Sequence, residues 1–104
     1  MILPKDIEMV TQKIIELEKP QKVYLFGSYA RGEAKEGSDL DLLIIKETDI
    51  PKPQRNRAIR KELAKMPFGK DIIIYTPDEF NRWLEVPSSF CAIVRNEGKL
   101  LYES

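Results

Sequence analysis

The chain has 104 residues, the size of one ordinary domain, and we expect residues 1–104 to fold as a single domain. The chain has 17 lysines and arginines and 17 aspartates and glutamates, so its net charge is zero. This excludes an overall positive potential that would attract nucleic acid or an anionic membrane, and we expect neither stable DNA binding nor a membrane partner. Histidine is absent, which excludes Ser-His nucleophiles and the usual zinc sites, while the lone Cys91 excludes an internal disulfide and suits a cytoplasmic location.

The first half of the chain predicts a helix, a strand, a short helix and a second strand. Apolar residues at helical spacing predict a helix over residues 4–19. The apolar run "KVYLF" predicts a strand over residues 22–26, and Ser28 is expected to cap a short helix over residues 29–31. The run "DLDLLII" predicts the second strand over residues 39–45.

The second half predicts three more helices and two more strands. A helix is predicted from about Gln54 to Lys65, and "KDIIIY" predicts a strand over residues 70–75. In "TPDEF", Thr76 as the N-cap and Glu79 three residues later predict the capping box of a helix. The run "SSFCAIVRN" predicts a last helix, and "KLLYE" predicts a short edge strand. The buried side of the helix that follows Thr76 is predicted to contain Phe80, Trp83 and Leu84.

This order of elements predicts a fold of the α+β class. We expect a two-layer arrangement, in which a small mixed sheet of about four strands is covered by helices. The short connection between the first two strands favours antiparallel pairing. In that geometry the turn at Gly27 and Ser28 lies beside the start of the second strand, where a glycine backbone and the N–H groups of a helix start suit a phosphate.

Aspartates stand at the beginning of two aliphatic strands. Asp39 and Asp41 point to the same face because side chains alternate along a strand, and Asp71 begins the third strand. If the third strand runs parallel to the second, the three carboxylates lie at one edge of the sheet. Adjacent carboxylates repel unless a cation lies between them, and carboxylates favour magnesium, calcium or manganese. For Asp71 the alternative is a strand-edge residue that pairs with Lys70 or a neighbour.

The segment "GSYARGEAKEGSDLDLLI" resembles the signature of the polymerase-beta-like nucleotidyltransferase superfamily, in which Gly-Ser is followed ten residues later by Asp-x-Asp. The whole chain is similar to the minimal nucleotidyltransferases, and the resemblance implies their core fold, ATP as nucleotide donor and two Mg²⁺ ions, which Mn²⁺ could replace. It implies that Gly27 and Ser28 bind the triphosphate and that Asp39 and Asp41 bind both metal ions. Asp71 is implied to complete the metal site and to help deprotonate the attacking hydroxyl.

Two interpretations of Arg31 remain open. Its guanidinium could contact the phosphates of a bound nucleotide, since it follows the Gly-Ser turn by three residues. It could equally form a structural salt bridge with Glu33 or Glu36. The basic stretch "KPQRNRAIRK" could contact RNA, a nucleotide tail or an acidic partner, but a solvated helix face is the expectation.

The resemblance also implies a function. Minimal nucleotidyltransferases commonly act as antitoxins that are paired with a small helical HEPN-domain ribonuclease toxin. This implies a magnesium-dependent transfer of AMP from ATP to a hydroxyl of the toxin, often that of a tyrosine, with release of pyrophosphate. Two alternatives remain open: a non-catalytic antitoxin that blocks the toxin by occlusion, and nucleotide transfer to a small molecule or an RNA end. A homo-oligomer is also compatible with the sequence.

Overall fold

The computed structural model describes residues 1–104 and contains five α-helices, one 3₁₀ turn and four β-strands. The helices are α1 (Pro4–Glu18), α2 (Ser28–Arg31), α3 (Arg57–Leu63), α4 (Pro77–Leu84) and α5 (Phe90–Glu97). The strands are β1 (Lys22–Phe26), β2 (Leu40–Ile45), β3 (Lys70–Tyr75) and β4 (Lys99–Glu103). The 3₁₀ turn covers Lys52–Gln54. None of the helices has the length and apolar character that a membrane crossing requires.

The four strands form one mixed sheet in the order β3-β2-β1-β4. Strand β1 pairs antiparallel with both β2 and β4, whereas β2 pairs in parallel with β3. The predicted α+β class and the mixed sheet of four strands are confirmed. The antiparallel first pair and the edge position of "KLLYE" are also as predicted.

Strand β2 is buried on both of its faces, since its consecutive aliphatic residues from Leu42 to Ile45 are all buried. One face packs against α1 and α3 in a cluster that includes Leu42, Ile44, Val10 and Ile59. The other face packs against α4 and α5 in a cluster that includes Leu43, Ile45, Phe80 and Val94. A strand that is apolar on both faces needs a helical cover on each. The sheet is therefore the middle of three layers, one more than the order of elements led us to expect.

The outer edge of β3 is closed by side chains. Arg55 Nη1 donates a hydrogen bond to the carbonyl of Ile74 at 3.2 Å, and Asn56 Nδ2 donates one to the carbonyl of Ile72 at 2.6 Å. These bonds hold the segment before α3 against the sheet, so that α3 begins only at Arg57, later than predicted. Such protection prevents another chain from pairing with this edge.

The capping box of α4 is confirmed, but the predicted cap of α2 is wrong. Thr76 Oγ1 accepts a hydrogen bond from Glu79 N at 3.2 Å, and Glu79 Oε1 accepts one from Thr76 N at 2.9 Å. Ser28 is instead the first helical residue of α2, and Gly27 occupies the cap position with a φ of 74°. The chain reversal after β1 needs this positive φ, which glycine adopts at little cost.

Trp83 is not part of the core, contrary to the prediction. Its exposed fraction is 49%, whereas that of Phe80, on the same helix, is 3%. The Phe80 ring packs against Tyr24 of β1 with 5.8 Å between the ring centroids. Helical spacing indicates which residues share a side of a helix, but it does not indicate how far along the helix the core extends.

Candidate active site

Two of the predicted aspartates lie opposite each other where β2 and β3 run side by side. In the parallel register Asp41 is the partner of Asp71, and in the antiparallel register Asp41 is also the partner of Phe26, the last residue of β1. The antiparallel pairing of β1 with β2 and the parallel pairing of β2 with β3 thus bring the end of β1 and the starts of β2 and β3 to one edge. Asp41 occupies the middle of this edge.

Gly27 lies in direct contact with the Asp41 side chain. A Cβ built on Gly27 would overlap Asp41 Oδ2 and would lie 3.0 Å from Asp41 Cγ. The carbonyl of Gly27 accepts hydrogen bonds from the N–H groups of Ala30 and Arg31, both at 3.1 Å, which fixes the turn. Ser28, half-buried, follows as the first residue of α2. The Gly-Ser turn and the second aspartate of Asp-x-Asp therefore form one compact unit.

Asp39 precedes β2 and contacts Gly69, which is not among the predicted site residues. A Cβ built on Gly69, just before β3, would overlap Asp39 Oδ1 and would lie 2.8 Å from Asp39 Cγ. The N–H of Leu40 donates to the Gly69 carbonyl at 2.9 Å, so the two strand starts are joined here. Aligning the two aspartate-led strands at Asp41 and Asp71 would have placed Gly69 beside Asp39, which is the signal in the sequence.

No basic residue forms an ion pair with any of the three aspartates. None of the ion pairs of the structure involves Asp39, Asp41 or Asp71. The neighbouring Lys70 turns away, because its Nζ donates to the carbonyls of Met66 at 3.0 Å and Phe68 at 2.5 Å. The structural pair between Asp71 and Lys70 that was the alternative for Asp71 is therefore not formed.

The pKa of Asp41 is raised above its ordinary value. Burial of the carboxylate is the main cause, and the negative charges of Asp71 and Asp39 raise the pKa further, while Arg31 opposes the rise. All of the raising effects disfavour the ionised form of Asp41. A bound cation would remove this penalty, since an opposite charge nearby favours ionisation.

The donor set suits a hard divalent cation. Carboxylate oxygens are the ligands that Mg²⁺ and Mn²⁺ prefer, and Mg²⁺ is usually shared between a few carboxylates, waters and substrate phosphates. In the side-chain positions of the structure, no three acidic side chains are close enough to form one ready-made metal site. Asp39, Asp41 and Asp71 nevertheless share one edge of the sheet.

Arg31 lies at the same edge and is held by a neighbour. Its Nε donates to Glu33 Oε1 at 2.7 Å, and both side chains are exposed. The hydrogen bond with Glu33 raises the pKa of Arg31 above its ordinary value, against a lowering by burial, and the negative charges of Glu33, Glu97 and Asp41 raise it further. Glu36 pairs with the amino group of Met1 instead, so of the two salt bridges considered for Arg31 the one with Glu33 is present.

A cleft of about 250 Å³ adjoins the Gly-Ser turn on the α5 side of the sheet. Phe26 and Phe90 form its aromatic wall, with their rings packed edge to face at 5.1 Å between centroids. Gly27 and Arg31 form the side nearest to Asp41. The candidate site thus combines an acidic edge, a glycine turn, one exposed guanidinium and an adjoining apolar cleft.

Comparison of the sequence with known proteins gives a matching family model and two similar proteins. The model of the nucleotidyltransferase domain family matches residues 7–101. "Putative protein adenylyltransferase MJ0604" of Methanocaldococcus jannaschii is 35% identical over 82 residues, which cover 79% of this chain and 78% of that protein. "Putative protein adenylyltransferase MJ0141" of the same organism is 33% identical over 94 residues, which cover 90% and 86%.

Several solved structures are similar to this chain in fold. One of them is the crystal structure of a toxin–antitoxin with AMP-PNP, and it superimposes with a TM-score of 0.64 at 22% sequence identity. The superposition covers 93% of this chain and 73% of that chain. At this level of identity the likeness concerns the fold alone.

Proposed function

This chain belongs to the nucleotidyltransferase domain family, and from that premise we propose that it transfers AMP from ATP to a hydroxyl group of a partner protein. The observation that supports this most is the placement of Asp41 opposite Asp71 and against Gly27, with neither carboxylate in an ion pair. Carboxylates that are brought together without a counter-ion repel one another and destabilise a fold, and a cation bound between them removes this cost.

Each residue of the edge has a role in this proposal. Gly27 and Ser28 hold the triphosphate of ATP, where the N–H groups at the start of α2 face the phosphates. Arg31 contacts the phosphates with its guanidinium. Asp39 and Asp41 bind the metal ions, and Asp71 completes that ligand set. When bound, two Mg²⁺ ions supply positive charge to both the attacking and the leaving oxygen of an in-line displacement.

The proposed transfer of AMP is a single displacement at the α-phosphorus of ATP. The acceptor oxygen forms a bond to the α-phosphorus of ATP, and the bond from that phosphorus to the bridging oxygen of the β-phosphate breaks. Pyrophosphate leaves with the electron pair of the broken bond. The proton of the acceptor hydroxyl passes to the carboxylate of Asp71, which acts as the general base. The product is a phosphodiester between AMP and the acceptor.

The proposed acceptor is a tyrosine hydroxyl of a small helical HEPN-type toxin, so that the chain acts as an antitoxin. Two relatives at 35% and 33% identity have names that describe protein adenylyltransferases, which supports a protein as the acceptor. A structure of the same fold belongs to a toxin–antitoxin, which supports a toxin as the partner. A neighbouring gene that encodes a short helical protein with an Arg-x-x-x-x-His motif would identify the candidate.

The test is incubation of the chain and this candidate partner with ATP and Mg²⁺. With ATP that is radioactively labelled at the α-phosphate, we expect the partner to become labelled. With ATP that is labelled at the γ-phosphate, we expect the partner to remain unlabelled. Mass spectrometry should locate one AMP on a tyrosine. Asp39→Asn and Asp41→Asn should abolish labelling, whereas Asp49→Asn, a change of an exposed loop aspartate outside the site, should not.

The alternatives give other results in the same experiment. If the chain blocks its toxin by occlusion, the Asp39→Asn, Asp41→Asn double variant still inhibits the toxin. In that case no AMP adduct forms on the toxin. If the acceptor is an RNA end or a small molecule, the α-label appears in that fraction and the partner protein remains unlabelled. Either result would overturn the proposal of protein adenylylation.

A further inference from the structure

The glycine at position 69 is not explained by its backbone conformation. The glycines with positive φ are Gly27, Gly32 and Gly37, and Gly69 is not among them. An L-residue with a side chain could therefore adopt the backbone of position 69 without strain. What a side chain would meet is Asp39, whose Oδ1 a Cβ at position 69 would overlap and whose Cγ would lie 2.8 Å away.

We propose that Gly69 is a positioning residue for Asp39, and that its missing Cβ leaves the space in which the Asp39 carboxylate lies beside the start of β3. This inference rests on the proposed function, in which Asp39 binds metal. It adds a second glycine to the site. Gly27 leaves room for Asp41 next to β1, and Gly69 leaves room for Asp39 next to β3.

Hydrogen bonds hold the backbone at Gly69 next to Asp39. The Gly69 carbonyl accepts the N–H of Leu40 at 2.9 Å, which ties it to the residue directly after Asp39. The preceding turn is fixed by Lys70, whose Nζ donates to the carbonyls of Met66 and Phe68 and lies 4.5 Å from the centroid of the Phe68 ring. A new Cβ at position 69 would therefore displace the end of the Asp39 side chain and leave the backbone in place.

The measurement is the affinity for Mn²⁺, followed by the electron paramagnetic resonance signal of the free ion. We expect Gly69→Ala to bind Mn²⁺ roughly 10–100-fold more weakly than the wild type, the usual effect of a change beside a metal ligand. The Tm in EDTA should be unchanged or slightly higher, because alanine restricts the unfolded chain more than glycine does. In an Asp39→Ala background, Gly69→Ala should have no further effect on Mn²⁺ affinity.

Gly32→Ala is the matched control. Gly32 has a φ of 72°, and a Cβ there would meet nothing within 4 Å, so alanine strains the backbone without touching the acidic edge. We expect this variant to lower the Tm and to leave Mn²⁺ affinity unchanged, the opposite of the effect at Gly69.

The outcomes separate this inference from the proposed function. If Asp39→Ala binds Mn²⁺ as well as the wild type does, the metal site of the proposed function is overturned. If Asp39→Ala weakens binding but Gly69→Ala does not, only the role of Gly69 is overturned. A fall in the Tm of Gly69→Ala that Asp39→Ala does not reverse would also overturn it, because the new methyl group would then clash with the fold and not with Asp39.

Discussion

Asp41 lies directly opposite Asp71 in the parallel pairing of β2 and β3, and neither carboxylate takes part in an ion pair. Like charges that face each other across a strand pair destabilise a sheet. The ion-free protein therefore contains a local repulsion, which a cation bound between the strands would relieve. Because a ligand that binds only the folded state adds to stability, metal binding and unfolding should be linked at this edge.

We predict that Asp41→Asn stabilises the protein when no divalent cation is present. Removing one of two facing charges should raise the free energy of unfolding by up to about 1 kcal/mol. The same variant should lose the rise in Tm that Mn²⁺ gives the wild type. Thermal unfolding in EDTA and in Mn²⁺ measures both effects, with Asp49→Asn as the control. A variant that Mn²⁺ still stabilises as much as the wild type would contradict the assignment of Asp41.

The raised pKa of Asp41 predicts how this effect changes with pH. A carboxyl whose pKa is higher in the folded state than its ordinary value of 3.8 favours folding when it is protonated. Its contribution is fully present below pH 3.8 and is lost as the pH rises through the folded-state value. The advantage of Asp41→Asn over the wild type in EDTA should therefore be largest at neutral pH and vanish in acid. Urea unfolding of both proteins across this pH range measures the difference, and a constant difference would disprove it.

The parts of the fold that are set by local chemistry could be predicted from the sequence. The capping box of α4 depends only on Thr76 and Glu79, and it is present. The matching patterns "DLDLLII" and "DIIIY" indicated two aspartates at one edge, and the parallel register places Asp41 opposite Asp71. Both inferences needed only residues that are close in sequence or strands with the same pattern.

The parts that depend on distant contacts could not be predicted in this way. The start of α3 is delayed because Arg55 and Asn56 bond to carbonyls of β3, which lie 16 or more residues away in sequence. The exposure of Trp83 depends on how far the core extends under α4. Gly69 is absent from the predicted site, because its contact with Asp39 becomes visible only when β2 and β3 are laid side by side.

We predict that Arg31→Ala raises the KM for ATP about tenfold with a small change in kcat, because a phosphate contact in the bound nucleotide would be lost while the acidic residues remain. The Tm should hardly change, since Arg31 and Glu33 are exposed and exposed ion pairs stabilise little. Steady-state kinetics of Arg31→Ala and the wild type measure the change in KM and kcat.

Glu33→Gln is the matched control for Arg31→Ala. It removes the 2.7 Å ion pair but keeps the guanidinium. We expect its KM for ATP to be equal to that of the wild type or lower, because the guanidinium is then free to bind phosphate. Equal rises of KM in both variants would mean that Arg31 acts only through its pair with Glu33.

Glu79 is predicted to be the main acid-sensitive group of the fold outside the site. Its carboxylate accepts two hydrogen bonds from Arg55, at 2.6 and 3.1 Å, and one from the N–H of Thr76 at 2.9 Å. The hydrogen bond with Arg55 is the largest cause of a pKa that falls from 4.5 to about 2, and burial opposes it. A carboxyl with a lowered pKa contributes stability above its unfolded value, and this contribution is lost as the pH falls from 4.5 to about 2.

Glu79→Gln should therefore lower the free energy of unfolding at pH 7 by on the order of 2 kcal/mol, because charge-assisted hydrogen bonds to a largely buried arginine are lost. The difference from the wild type should shrink steadily below pH 4.5, where the wild-type carboxylate itself begins to lose its advantage. Urea unfolding between pH 7 and pH 3 measures it, and Glu85→Gln, a change of an exposed glutamate just after α4, should follow the wild type throughout. If Glu79→Gln loses stability in acid as steeply as the wild type does, the acid sensitivity of the fold resides in another carboxylate.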